Sequence, residues 1–294
     1  MSAVEKATAA PPATLSRPSF RLAQERPLTG LLWGLASVGL FAGVWEICWA
    51  LGWANPMLLP PPHIFLADFL AQGRFFDRST RIGHPTNLAI MVAVLKTVGI
   101  STARVIAGLV IAFFGSLAVG LAIRYFSTLG KLVTPMVNML APISPVAWLP
   151  VAIVIFGTGN APAVFLVFIS LFFIMTLATL RLIDQVPRAY RNVARIMGAN
   201  RRQMFTQVII PAILPPLFVV LRLNMFAAWM MLLIAESAGV GSGLGLVVMT
   251  SRGTFNSQLA FFTMAVIGIV GFALDVALRR LQARLLHWTA DTRN

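Results

Sequence analysis

The residues best placed to do chemistry are four charged side chains inside apolar runs: Glu46, Arg222, Glu236 and Asp275. A charge in lipid is costly and usually faces protein or water, so each marks a place where helices meet or a polar path runs. In the spans drawn below, Arg222 and Asp275 fall at similar depth and suggest an ion pair between the fifth and sixth spans. Two alternatives stand beside it: Arg222 snorkels to the headgroups, or it offers positive potential to an anionic solute. Glu236 is a candidate for the wall of a polar path. Glu46 reads as a contact between helices or as a group near the outer interface. Pro142, Pro145 and Pro150 remove helical N–H donors within one span. The carbonyls they free need protein or water beside them, which makes Ser144 and Trp148 candidate path-lining residues. A kinked packing helix with Trp148 against lipid fits the same pattern.

Catalytic and cofactor chemistry finds little support. His63, His84 and His287 are scattered without metal-ligand spacing, and Cys48 is the one cysteine. There is no G-x-x-x-x-G-K-[ST] phosphate loop, since Gly130-Lys131 lacks the preceding glycine and the following hydroxyl. Gly241-Ser242-Gly243-Leu244-Gly245 follows no strand, so it is not a dinucleotide turn; it reads as a re-entrant or extracytoplasmic loop. No metal, cofactor or catalytic residue is expected. A membrane-embedded enzyme should place His or Asp clusters within spans, and none exists.

These residues need a frame of membrane helices. Of 294 residues, 58% are hydrophobic and 11% charged, against roughly a quarter charged in soluble domains. The net charge of +14 sits in clusters beside apolar runs, which points to topology and not to nucleic acid. Residues 1–28 lack the order of a signal peptide and read as a disordered tail; 289–294 read as a short cytoplasmic tail. Six spans follow, at about 31–53, 105–123, 133–156, 162–181, 213–235 and 259–278. No charge occurs from Leu132 to Leu180. One helix of that length would reach about 73 Å, so the run folds back at Gly157–Pro162. Ile64 to Phe76 could form a short amphipathic interfacial helix. The Lys and Arg count, 16 on one side against 6 on the other, puts both termini in the cytoplasm. The fold class is all-α and polytopic. No internal repeat of the secondary-transporter kind is visible.

The loop from Val186 to Pro211 carries the sharpest signal. Val186, Tyr190, Val193 and Met197 line one helical face, and Arg188, Arg191 and Arg195 line another. Pro187 suits a helix start and Gly198 a stop; a second short helix, about 201–210, ends at Pro211. An amphipathic loop resting on anionic lipid and a docking helix for a partner's groove both fit.

The loop resembles the one in permeases of binding-protein-dependent ABC importers. Those carry Glu-Ala-Ala, three residues, Gly, nine residues, Ile, one residue, Leu, Pro. Here Asn192-Val193-Ala194, Gly198, Val208, Ile210 and Pro211 keep every spacing. Asn192 replaces the family's glutamate and removes a charge from that position. Three further segments are similar to the nitrate, cyanate, bicarbonate, taurine and alkanesulfonate branch: Pro142–Pro150, Pro187–Arg195, and Ala235-Glu236 with Gly243-Leu244-Gly245. The resemblance covers about 29–288 and implies a type I ABC importer permease domain in a bacterial inner membrane. It also implies that Tyr190, Arg191, Asn192, Val193, Ala194, Arg195, Gly198, Val208 and Pro211 couple to a separate ABC ATPase, which uses the ATP and Mg²⁺. Ser144, Trp148 and Glu236 would then belong to a translocation pathway for a small anion. The implied partners are an extracytoplasmic substrate-binding protein and a second permease copy. The competing class is a secondary transporter or channel driven by an ion gradient without an ATPase.

Overall fold

The computed structural model describes residues 27–286 apart from 54 and 56. The expected tails, 1–28 and 289–294, lie outside these residues, except that 27 and 28 open the first helix. The chain divides into two units, 1–53 and 54–294. The first contributes α1 (Pro27–Ala50), 24 residues long and so about 36 Å, enough to cross a ~30 Å hydrocarbon core. Phe41 and Trp45 meet edge to face on it, with ring centroids 5.9 Å apart.

The second unit opens with short pieces: α2 (Pro62–Ala67), α3 (Phe69–Gly73), a 3₁₀ turn (Arg74–Phe76) and α4 (Arg78–Arg81). Then come α5 (Asn87–Tyr125), α6 (Ser127–Leu140), a 3₁₀ turn (Pro145–Trp148), α7 (Leu149–Phe156) and α8 (Asn160–Gln185). The loop helices α9 (Arg188–Ile196) and α10 (Arg201–Gln203) lead through a π-helical stretch (Met204–Ile209) into α11 (Ile210–Ala235). A second π-helical turn (Glu236–Val240) precedes α12 (Leu244–Gly253) and α13 (Ser257–Leu285). Among the described residues, five helices are long and apolar enough to cross a membrane, or six if the bent α6–α7 pair is one span.

The scaffold is α5 against α8, with α11 packed on both. Small residues set the closest approach, as membrane interfaces require. A Cβ at Gly108 of α5 would lie 2.4 Å from Val167 Cγ1 of α8. Phe113 and Phe218 join α5 to α11, with centroids 4.9 Å apart.

Five features differ from the sequence reading. The second span starts near Asn87 and not Val105, so α5 runs for 39 residues and carries Lys96 and Arg104 inside it. The stretch 64–76 is no single interfacial helix; its aromatic rings pack inward, with Phe69 and Phe76 both edge-on to Phe262 of α13. The third span is broken, its halves bent by 100°. Pro145 forces Ser144 into an extended conformation (φ −57°, ψ 131°) because its ring clashes with a helical predecessor. Finally, the glycine-rich stretch contains a helix, α12, and the loop's second helix does not end at Pro211. Pro211 has no N–H for the carbonyl four residues back, and the widened π turn before it absorbs that loss.

Candidate functional site

Two constellations stand out, one in the loop between α8 and α11 and one buried between helices. In the loop, α9 presents two faces. Ala194 is buried with Val186, Met204, Ile209 and Ile213, while Val208 packs half-buried on the same cluster. Outward lie Tyr190, Val193, Ile196 and Met197, the last two over 80% exposed. Asn192 and Arg195 are exposed beside them. The apolar face read from spacing therefore splits: Val186 turns inward as the anchor, and Tyr190, Val193 and Met197 form the free surface.

The elbow has a local cause. Gly198 sits at φ +77°, where a Cβ would be strained. Its N–H donates to Arg195 O at 3.0 Å and that of Ala199 to Ala194 O at 2.9 Å, the paired bonds of a Schellman stop. The next helix starts with reciprocal caps: Asn200 Oδ1 accepts from Gln203 N at 2.8 Å, and Asn200 N donates to Gln203 Oε1 at 2.9 Å.

The buried constellation centres on Arg104, which the sequence reading left in a loop. All five guanidinium N–H groups are engaged. Nη1 donates to Glu236 Oε1 at 2.7 Å and to Ser242 O at 2.8 Å. Nε donates to Asn160 Oδ1 at 2.9 Å, Nη2 to Ser242 Oγ at 2.8 Å, and Nη2 also to Asn160. Glu236 accepts further from Ser101 Oγ at 2.7 Å and from Gly245 N at 3.0 Å. Arg104 is 4% and Glu236 0% exposed. A Cβ at Gly243 would lie 2.2 Å from the Glu236 carboxylate and one at Gly245 2.8 Å from Glu236 Cβ, so these two glycines let backbone close over the ion pair. Glu236 thus faces partners from α5 and the turn into α12, with no open surface.

Elsewhere, Arg222 Nε donates to Asp275 Oδ1 at 2.8 Å, and Arg279 Nε donates to Asp275 Oδ2 at 2.7 Å. The structure brings α11 and α13 together at that point. Ser144 is exposed and Trp148 half-buried at the break between α6 and α7. Among the described residues no cluster of His, Cys, Asp or Glu could hold a metal.

Residues 108–289 match the family described as binding-protein-dependent transport system inner membrane component. The chain belongs to that family. The match opens within α5 and takes in the broken span, the loop with α9, and α11 to α13. A putative ABC transporter permease of Methanocaldococcus jannaschii is 30% identical over 64% of this chain and 71% of its own length. The taurine transport system permease protein TauC of Escherichia coli is 27% identical over 87% of this chain and 90% of its own. The bicarbonate transport system permease protein CmpB of Synechococcus elongatus is 28% identical over 93% and 94%. Among solved structures, a chain of the MetNI methionine ABC transporter in an inward-facing conformation aligns with a TM-score of 0.57. It is 18% identical, over 65% of this chain and 94% of that one. This inner membrane component therefore shares the fold of an ABC importer's membrane subunit.

Proposed function

We propose that the chain forms the translocation pathway of an ATP-driven importer for a small anion of the nitrate, bicarbonate, cyanate, taurine or sulfonate type. The observation that carries this reading is α9: a short helix anchored by Ala194 and ended by Gly198, with Tyr190, Val193, Ile196 and Met197 exposed. A helix held on one face and bare on the other suits a partner's groove. We assign that groove to a separate ATPase, on the cytoplasmic side given by the basic-residue count.

The chain has no phosphate loop, so in this reading ATP and Mg²⁺ belong to the ATPase and the permease does not hydrolyse. An extracytoplasmic binding protein delivers the solute, and a second permease copy completes the path in a bacterial inner membrane. The anion class follows the taurine- and bicarbonate-named relatives and a nitrate import permease, NrtB of Synechococcus elongatus, 28% identical over 60% of this chain and 64% of its own length.

The test is co-expression with the neighbouring genes and purification of the complex. An ATPase should copurify, with turnover that rises when the loaded binding protein is added. Uptake that persists without ATP and collapses with the proton gradient would overturn the proposal.

A further inference from the structure

At the loop end of the molecule four arginines converge on one cleft of about 430 Å³, within the ~300–1,000 Å³ usual for small-molecule sites. Arg124 comes from the end of α5, Arg191 and Arg195 from α9, and Arg201 from α10. A single carboxylate, Asp184 of α8, lies among them and pairs with Arg124.

Three of the guanidinium groups are held in place with donors to spare. Arg124 is fixed by Asp184. Arg191 Nη2 donates to Val186 O at 3.1 Å. Arg201 Nη2 donates to Tyr125 O, with its guanidinium 4.7 Å above the Tyr125 ring centroid. The Arg195 guanidinium makes no hydrogen bond or ion pair with any described residue. Each guanidinium has five N–H donors. Arg104, in the buried cluster, uses all five, whereas no arginine here uses more than one. The cleft thus offers pre-positioned donors and a net charge of three positives in room for one ligand.

We propose that this cleft binds a phosphate-type oxyanion. Guanidinium groups match such oxygens in pairs, and basic pockets between helix ends on the cytoplasmic side take lipid headgroups. A free phosphate and the phosphodiester of an anionic phospholipid share this chemistry. Either would bridge the ends of α5 and α8 to the α9–α10 elbow and brace the loop against the spans. The inference rests on the cleft's own geometry and stands apart from the solute the permease carries.

The experiment uses the full-length chain. Inorganic phosphate is titrated against it calorimetrically in detergent, and phosphatidylglycerol retention after delipidation is read by native mass spectrometry. Phosphate binding identifies a soluble anion; retained phosphatidylglycerol without phosphate binding identifies a headgroup; either supports the site. Arg195→Gln and Arg201→Gln should each weaken binding about tenfold or more, the loss expected for a charged hydrogen bond. Arg202→Gln, on the same helix but outside the cleft, should leave it unchanged. If Arg201→Gln misfolds for want of its Tyr125 bond, Arg195→Gln, which loses no bond within the described residues, still decides. Absence of both ligands overturns the proposal, as does wild-type binding in Arg195→Gln. Weaker ATPase association in these variants, with neither ligand bound, also overturns it and assigns the arginines to an acidic protein surface.

Discussion

Arg104 and Glu236 sit 132 positions apart and share a 2.7 Å bond with almost no solvent exposure on either side. Removing one partner leaves the other buried and unpaired, which costs about 3–5 kcal/mol. Arg104→Ala should therefore unfold far more readily than wild type, measured by thermal unfolding in detergent. The double change Arg104→Met with Glu236→Met should be milder than Arg104→Ala alone, because no charge is stranded. Wild-type stability in Arg104→Ala would remove the structural role.

Asp275 is gripped from two sides, by Arg222 across the helix interface and by Arg279 one turn along. Arg222→Ala should destabilise, and Asp275→Ala should do so more, since it frees both arginines. Their effects should not add; a coupling of roughly 0.5–3 kcal/mol is expected for residues in direct contact. A double-mutant cycle on unfolding midpoints reads it, and strict additivity would show that the pair contributes nothing.

The elbow at Gly198 tests coupling. Alanine at φ +77° costs about 1–2 kcal/mol, and proline, fixed near φ −65°, cannot sit there. Gly198→Pro should leave the spans folded by detergent melting while uptake per ATP hydrolysed falls sharply. Ala194→Leu, which overfills the anchor beneath α9, should act in the same direction. An unchanged ratio in both variants would separate the loop from transport.

Asp77 gives a pH signature outside the spans. Its carboxyl is lowered to about 2, chiefly by the Ser79 backbone N–H and then by the Lys96 ammonium at 3.0 Å. The unfolded value is near 3.9. The folded pKa lies below the unfolded one, so the stabilisation is fully present above about pH 4 and is lost as pH falls towards 2. Asp77→Ala should cost about 1 kcal/mol, the usual loss for a helix cap. Its deficit against wild type should shrink across that window, followed by unfolding at graded pH.

Much of this was legible in the sequence. The charge-free run from Leu132 to Leu180 forced a fold-back, and Gly157 and Gly159 do end one helix and precede the next. Pro187, Gly198 and the apolar spacing located α9 because its stops and starts are local. Arg104 was not legible as a buried group. Its partners Asn160, Glu236 and Ser242 lie 56 to 138 positions away, and a charge at the edge of an apolar run reads as the end of a span. The helix α12 was hidden for a related reason. Glycines that weaken an isolated helix are needed at 243 and 245 for close approach to Glu236 and Leu233, a demand set by distant chain.

The length of α5 has a mechanical side. Its 39 residues make a rod of about 58 Å, nearly twice the thickness of the hydrocarbon core. Lys96, about a quarter of the way along, tethers it to Asp77; the far end carries Arg124 beside the α9 elbow. With Arg104 clamped part-way along, the rod has the form of a lever with a fulcrum. A tilt of about 5° over that length moves one tip by roughly 5 Å relative to the other, a stroke comparable to one helical turn.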